Sequence, residues 1–351
     1  MKKVTIHDIA RELNVTFSTV ARALNDHPAI SVATKEAVRE VAKKLNYQQN
    51  KVASSLRSGR SNVIGVMVPN LAANFFNSTI LGIEKVMNEN GYSILLYQSG
   101  ESFSHETKGI ETFMQSRVEG IFASVAMETT DFSHYEDIKK NDIPLLLFDR
   151  AVEELGVPTV RIDDYRGGFL AAEHLIKHNC KNIVHISANL DVKSFRERLQ
   201  GYKDALNHYN LPINEDLIFY GKPSIELGRR CIEQLYNTNE AFDGVFAFED
   251  YTALGVMQQL KSHGVNVPEQ VKVIGFANEA FGAYISPSLS TIDQQSVLMG
   301  EEVARLFLKL HKSQNFYTSI PEQIVLEPLL VERESSGLTV FINQSPISST
   351  Q

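Results

Sequence analysis

The sequence of 351 residues has no tryptophan and only two cysteines, Cys180 and Cys231. The two cysteines are far apart and fall in no metal-ligand spacing, which indicates a reduced cytosolic protein. The first residues are polar and charged and lack the apolar segment of a secretion signal. Nowhere do about eighteen apolar residues follow one another, as a membrane-spanning helix requires. These absences predict a soluble cytoplasmic protein with no membrane partner.

The sequence also lacks the common catalytic and nucleotide-binding motifs. It contains no GxGxxG, no GxxxxGK(S/T), no GxSxG and no HExxH pattern. Its ten histidines are scattered, and none stands beside a cysteine or carboxylate at the spacing of a metal site. We therefore expect no catalytic residues, no cofactor and no metal, and a protein that acts by binding rather than as an enzyme.

The charges are unevenly distributed along the chain. Residues 1–60 contain eleven Lys or Arg and five Asp or Glu, a local charge of +6. The whole chain carries −8, so the remaining residues carry −8 − 6 = −14. A basic head on an acidic body predicts that the head meets a polyanion. A solvated, lysine-rich surface is the alternative explanation.

Three short helices are predicted within this basic segment. In TIHDIARELN, Thr5 and Asp8 form a capping-box arrangement, and the apolar residues recur at helical spacing. The second helix follows almost at once with Thr16 as its N-cap, and the third begins after Ser31. So short a connection leaves the second helix crossing the first, with its N-terminal outer face exposed. The pattern predicts a helix–turn–helix.

The outer face of the second helix carries Phe17, Ser18 and Arg22. In a major groove, an arginine can chelate a guanine edge, a serine can bond to a base or phosphate, and a phenylalanine can pack on a thymine methyl. The alternative is an ordinary surface helix with one exposed aromatic ring. The tight turn and the basic surroundings favour DNA binding.

The N-terminal segment resembles the DNA-binding head of the lactose-repressor family of bacterial transcription regulators. This segment begins VTIHDIARELNVTFSTVARALN and ends VASSLRSGRS. The match includes TIxDIA, V(S/T)xxTVxRxLN and VAxxLRxGR over about sixty residues without a gap. One departure is Ala21, where the family usually has serine. The resemblance implies a homodimer that binds a pseudo-palindromic DNA operator. By position, it assigns groove reading to Thr16, Phe17, Ser18 and Arg22, and backbone contacts or bracing of the turn to Thr5, Thr19 and Asn25.

Residues 48–61 form the predicted linker. Val52, Ala53 and Leu56 fall on one helical stripe, but so short a helix is marginal alone in water. The resemblance implies a hinge helix that pairs with its copy over the minor groove, where Leu56 would wedge into a base step. Ser54 stands where the family often has arginine. A plain flexible linker is the alternative, since the segment also contains serine and glycine.

From residue 62, short apolar strands alternate with helical stretches, and the series recurs with an offset of about 120 residues. Alternating strands and helices predict doubly wound parallel sheets, and the repeat predicts two of them side by side. This is a periplasmic-binding-protein-like body, which the resembled family shares. The predicted domains are the all-α head (1–47), the hinge (48–61), the body (62–336) and a tail (337–351). Within the body, lobe 1 is expected at about 62–160 and 292–323, and lobe 2 at about 161–291 and 324–336.

Polar side chains follow the predicted strands of both lobes. Ligands of open parallel sheets bind outside the carboxyl ends of the strands, so these residues predict one effector site in an interlobe cleft. Polar pairs with an aromatic neighbour suit a sugar or another polyhydroxy ligand, and the two arginines would equally suit an acid or a phosphate. Each residue alone could instead be satisfied by the nearby backbone. The expected effector-binding residues are Asn70, Phe75, Ser124, Asp149 and Arg150 of lobe 1, with Arg196, Phe248, Glu249, Asp250 and Asn278 of lobe 2.

The resemblance supports some of these residues and departs at others. Arg196 and Asp250 match positions that hold effector hydroxyl groups in sugar-responsive relatives. VPNLAANFF lacks the usual Asp and Asn-Pro of VPDxxNPFF, and Glu249 replaces an asparagine. The sequence thus predicts an effector-responsive DNA-binding regulator, with repression as the expected mode and a sugar-like effector. A transport-type binding protein is the main alternative, against which the basic head argues.

Overall fold

The structure, a computed structural model, describes residues 4–47, 61–188, 192–312, 316–317 and 320–337. It divides into two units, Met1–Ser61 and Asn62–Gln351. Among the helices of these described residues, none combines the length and the apolar character that crossing a bilayer requires. The predicted tail beyond Gly337 lies outside the described residues.

The head is a bundle of three helices, α1 (Ile6–Glu12), α2 (Phe17–Leu24) and α3 (Val32–Lys44). Their starts are capped as the sequence predicts: the Thr5 amide donates to the Asp8 carboxylate at 2.9 Å. The hydroxyl oxygens of Thr16 and Ser31 accept the amides of α2 and α3, both at 3.2 Å. The small core that joins the helices consists of Ile9, Ala10, Val20, Ala23, Val38 and Ala42.

The body contains twelve strands within the described residues. They are β1 (Val63–Val68), β2 (Ser93–Gln98), β3 (Gly120–Ala123), β4 (Leu145–Phe148), β5 (Thr159–Ile162), β6 (Ile183–Ala188), β7 (Ile218–Gly221), β8 (Gly244–Ala247), β9 (Lys272–Phe276), β10 (Ser290–Asp293), β11 (Gln323–Leu326) and β12 (Leu329–Val331). The helices are α4 (Asn74–Glu89), α5 (Phe103–Gln115), α6 (Ser133–Lys140), α7 (Asp164–Lys177), α8 (Lys193–His208), α9 (Ile225–Thr238), α10 (Asp250–Ser262) and α11 (Ser296–His311).

Two six-stranded sheets form the two lobes. The first has the order β11-β5-β4-β3-β1-β2 and the second β12-β10-β9-β8-β6-β7. Neighbouring strands run parallel except for the β10–β12 pair, which is antiparallel. Strands β3 (GIFA), β4 (LLLF) and β8 (GVFA) are apolar over their whole length and fully buried, as expected where helices cover both faces of a sheet. The predicted architecture of two doubly wound sheets is confirmed.

The lobe boundaries differ from the expected ones by a few residues. All of β5 lies in the first sheet, where it pairs in parallel with β11 from Gln323↔Thr159 to Leu326↔Ile162. The expected cuts after residues 160 and 323 would have split both strands. β10, expected in part as lobe 1, pairs with β9 in the second sheet. The chain therefore passes between lobes after Ile162, Asp293 and Leu326, because strand pairing rather than the repeat decides membership.

Reciprocal glycines allow three helix pairs to pack closely. A Cβ on Gly82 of α4 would lie 2.1 Å from the Val297 carbonyl of α11, and one on Gly300 would lie 2.0 Å from the Thr79 carbonyl. Such distances leave no room for a methyl group, so the helix backbones are in direct contact. The other pairs are Gly168 with Gly201 in α7 and α8, and Gly228 with Gly255 in α9 and α10.

Candidate DNA-binding and effector-binding sites

Helix α2 presents a polar, charged face with one aromatic ring. Phe17 is 51% exposed and packs its ring 5.2 Å from that of His7, while Ser18 is also exposed. Arg22 is exposed and forms no ion pair with any described residue, whereas the nearby Arg39 binds Asp26 at 2.6 Å. The Arg22 charge is thus uncommitted within this unit. The face has the chemistry that reading a base edge requires.

The other predicted DNA contacts of the head have structural tasks as well. The Thr16 hydroxyl caps α2 and lies 2.9 Å from the Thr19 hydroxyl, so the two side chains brace the helix start. Thr5 donates its hydroxyl to Asp8 at 2.8 Å, and Asn25 is the C-terminal cap of α2. These contacts agree with a bracing role, and DNA contact by these residues stays a prediction. The predicted hinge residues Val52, Ala53 and Leu56 lie outside the described residues.

A cavity of about 680 Å³ lies between the two lobes of the body. Three predicted effector residues line it: Asp149 and Arg150 from the end of β4, and Arg196 from α8. Its lining contains five acidic and four basic side chains, besides apolar groups and hydroxyls. The acidic and basic side chains are Asp149, Arg150, Glu153, Glu154, Arg161, Asp164, Lys193, Arg196 and Glu197.

The lobe 1 wall of the cavity is held by an ion-pair network. The Arg150 guanidinium donates to both Glu101 oxygens, at 2.7 and 3.1 Å, and to the Val125 carbonyl at 3.3 Å. Ser124 donates to the Asp149 carboxylate at 3.0 Å. Burial raises the pKa of Asp149 to about 6, although the Arg150 charge acts in the opposite direction. Ser124 is fully buried and lies behind Asp149 rather than at the cavity surface.

The other seven predicted residues do not line this cavity. Glu249 is the N-cap of α10 and accepts the Thr252 amide at 2.9 Å, since the residue after β8 also starts a helix. Phe248 and Phe75 are buried in the cores of their lobes. Asn70, Ser124, Asp250 and Asn278 bond instead to neighbouring protein groups.

Asp250 is a buried brace within lobe 2. Its oxygens accept the Thr291 hydroxyl at 2.7 Å and the Glu279 amide at 2.6 Å, and the residue is 1% exposed. Burial raises the pKa of Asp250 to about 8, against the effect of these hydrogen bonds. The sequence placed this carboxylate at the ligand because it follows a strand. The structure corrects that placement, because the side chain turns inward to join β10 and the β9 loop.

Comparisons with known proteins identify both the head and the body of this chain. Residues 5–50 match the profile of the bacterial regulatory proteins of the lacI family, and residues 172–336 that of a periplasmic binding protein-like domain. The catabolite control protein A of Priestia megaterium is 30% identical over 318 residues, which cover 90% of this chain and 95% of that protein. The chain belongs to the lacI family.

The similarity to solved structures covers nearly the whole chain. The lac repressor dimer bound to operator and the anti-inducer ONPF has a TM-score of 0.84 at 24% identity, over 95% of this chain and 99% of that one. A complex of the transcriptional regulator CelR with cellobiose has a TM-score of 0.71 at 27% identity, over 95% of this chain and 100% of that one. This lacI-family protein is a DNA-binding transcription regulator and not an enzyme.

Glu279 joins the two lobes of this lacI-family protein and was not anticipated from the sequence. Its carboxylate, on lobe 2, accepts the Asn74 and Phe75 amides of lobe 1 at 3.1 and 3.4 Å. These amides begin α4, whose N-cap residue Ala73 has no side-chain acceptor. The family pattern has asparagine at the position of Ala73, a good N-cap. Here the missing cap is supplied across the cleft, so helix α4 and the lobe arrangement depend on each other.

Ion pairs also cross the cleft beside the cavity. Lys193 at the start of α8 pairs with Glu153 of lobe 1. Arg161 of β5 lies 3.5 Å from the Glu197 carboxylate of α8. Because these pairs are partly exposed, each one alone contributes little to the stability of the lobe arrangement. All four of these side chains also line the cavity, so charges shared by both lobes form part of its wall.

Arg198 is a second buried contact residue that the sequence analysis did not single out. It is 4% exposed and donates to Asp164 at 2.8 Å, to the Phe248 carbonyl at 2.7 Å and to Gln294 at 3.4 Å. Its guanidinium also lies 3.6 Å from the ring centroid of Phe276. Since residues two apart face different sides of a helix, Arg196 points to the cavity while Arg198 points inward. The only sequence signal was the repeated arginine of FRERLQGY.

Proposed function

We propose that this protein is a transcriptional repressor that binds a pseudo-palindromic operator as a homodimer and responds to a small polar effector. The exposed α2 face supports base reading, and the polar cavity between the lobes supports effector binding. The cavity is the observation that carries the ligand response, because a ligand there touches both lobes. The site of action is the cytoplasm, where the operator is.

A sugar or sugar derivative fits the cavity better than a strongly anionic ligand. With five acidic and four basic side chains, the lining has no positive excess that a phosphate would need. Carboxylates and guanidinium groups offer many acceptors and donors to a polyhydroxy ligand. The related regulator CelR was solved with cellobiose. The volume of about 680 Å³ is within the range of small-molecule sites.

The switch follows from contacts that both lobes share. A ligand that binds one lobe arrangement more tightly shifts the population toward it. In this arrangement Glu279 caps α4, and Lys193 and Arg161 each pair across the cleft. A differential affinity of about 1–3 kcal/mol changes operator affinity by one to two orders of magnitude. In this switch, residues 48–61 carry the change in lobe arrangement to the head.

Replacing Arg196 with alanine is expected to abolish the effector response while basal operator binding persists, because Arg196 lines the proposed effector cavity and lies in the body rather than in the head. Effectors are first found by thermal shift with monosaccharides, disaccharides, sugar acids and sugar phosphates, since a ligand raises the melting temperature by mass action. Operator affinity is then measured by fluorescence anisotropy with and without the effector. Arg229→Ala, at an exposed position of α9 in the same lobe, is the matched control. A normal response from Arg196→Ala, or loss of operator binding at a normal melting temperature, contradicts the cavity assignment.

The dimer is expected to form through the outer face of α4 and α11. Leu81 is 59% exposed and Val297 is 40% exposed on these two packed helices, and Lys85 of α4 binds Glu301 of α11 at 2.8 Å. Leu81→Glu should shift the protein toward monomer in sedimentation velocity and weaken operator binding, because a buried charge at an interface is costly. Tyr220→Glu changes a comparably exposed residue of lobe 2 and should leave assembly intact. A wild-type monomer at micromolar concentration rules out this interface.

A further inference from the structure

Two histidines and a glutamate meet on lobe 2, outside the lining of the interlobe cavity. His174 lies in α7, His178 is the C-terminal cap of the same helix, and Glu332 follows β12. In the described part of the chain, one ligand atom of each residue lies within 4.8 Å of the other two. The centroids of the two imidazole rings are 4.3 Å apart, and His178 Nε2 is 3.5 Å from Glu332 Oε1. The spacing of four residues places both imidazoles on one helix face.

Both histidine rings are oriented by further hydrogen bonds. His178 Nδ1 lies 2.8 Å from the His174 carbonyl oxygen, which leaves Nε2 directed toward Glu332. His174 Nε2 lies 2.7 Å from the Ser336 hydroxyl, which fixes that ring against the segment after β12. Metal-binding histidines are typically held in this way, with the other ring nitrogen bonded to a carbonyl or a similar group.

The cluster also has a cationic neighbour and an opening to solvent. The Lys177 ammonium is bound to Glu173 at 3.2 Å. Glu332 is half-exposed, so an ion can reach the cluster from solvent.

We propose that His174, His178 and Glu332 form a binding site for a divalent transition metal ion, with Zn²⁺ as the best fit. Two imidazoles and a carboxylate are the ligands that Zn²⁺ takes when one position stays open to water. A tetrahedral ion with bonds of about 2.1 Å needs ligand atoms about 3.4 Å apart. The His178–Glu332 distance of 3.5 Å already meets this, and small side-chain movements close the remaining gaps.

The ion would fasten the last described segment of the body to α7. Ser335 of that segment donates to the Val273 carbonyl at 2.6 Å and accepts the Ser290 amide at 2.8 Å, next to Ser336. A metal between α7 and Glu332 therefore stabilises the edge of lobe 2 formed by strand β12. The site is independent of the proposed effector cavity. Glu332 is far from the two histidines along the chain, so sequence spacing alone does not indicate the site.

The test is a ZnCl₂ titration of the tag-free, full-length protein after EDTA treatment and dialysis. Isothermal calorimetry should give one ion per chain, and the melting temperature should rise with ZnCl₂. His178→Ala and Glu332→Gln, both at partly exposed positions, should each weaken binding about tenfold or more. His263→Ala is the control, since His263 pairs with Glu233 at 3.0 Å on the same lobe but belongs to no three-ligand group among the described residues.

Two sets of results overturn the proposal. One is wild-type protein that neither releases heat nor gains thermal stability with ZnCl₂. The other is a set of variants that do not follow the assignment. Either His178→Ala and Glu332→Gln both keep the wild-type affinity for Zn²⁺, or His263→Ala loses Zn²⁺ binding in their place. Circular dichroism without metal checks that each variant is folded, and Co²⁺ absorption in the visible range reports tetrahedral coordination independently of stability.

Discussion

Replacing Arg198 with methionine is expected to lower the free energy of unfolding of the body by about 3–5 kcal/mol. The change leaves the buried Asp164 carboxylate without its cation and the Phe248 carbonyl without its donor. Breaking one side of a buried ion pair is costly because the remaining charge stays desolvated. Urea denaturation followed by circular dichroism measures the effect.

Arg196→Met is the matched control for this prediction. It makes the same substitution two residues earlier in α8, at an exposed position on the cavity, and should lower stability clearly less than Arg198→Met does, because charges at an exposed site stay solvated. Adding Asp164→Asn to Arg198→Met should recover part of the loss, because the unpaired charge is then absent. Equal losses from the two arginine variants contradict the buried-pair explanation.

Arg22→Ala is expected to cost about 1–3 kcal/mol of binding free energy at the cognate operator, as loss of a bidentate guanine contact does. Arg22 is exposed on α2 and pairs with no described carboxylate, so its guanidinium is available to a base edge. The operator is obtained by selection from random DNA with the wild-type protein. Fluorescence anisotropy on the selected and on scrambled DNA then separates base reading from phosphate contact.

Arg11→Ala provides the comparison for Arg22→Ala. Arg11 is an exposed arginine of α1, its ion pair with Asp8 is loose at 3.5 Å, and its removal changes the head charge equally. It should lower affinity by a similar amount on both DNAs, because it lacks a place on the groove-reading face. If Arg22→Ala also weakens both DNAs equally, Arg22 contacts phosphate only.

Local patterns were sufficient for the elements and their order. Thr16 and Ser31 cap their helices as expected because an N-cap needs only a side-chain oxygen and the amides that follow it. The buried strands could be recognised because strands covered on both faces are apolar throughout, as in LLLF before Asp149. The family followed from the motifs of the head, which are likewise contiguous in sequence.

The sequence by itself thus determined the three-helix head, the two-sheet body and the family. Tertiary structure decided which strand-end side chains face the interlobe cavity, because a polar residue after a strand can equally cap the next helix. Glu249 does so, Asp250 turns inward, and Asp149 and Arg150 reach the cavity. Glu279 likewise caps a helix, because its carboxylate accepts the amides at the start of α4. Such partners are distant in sequence, and only the folded packing brings them within hydrogen-bonding distance.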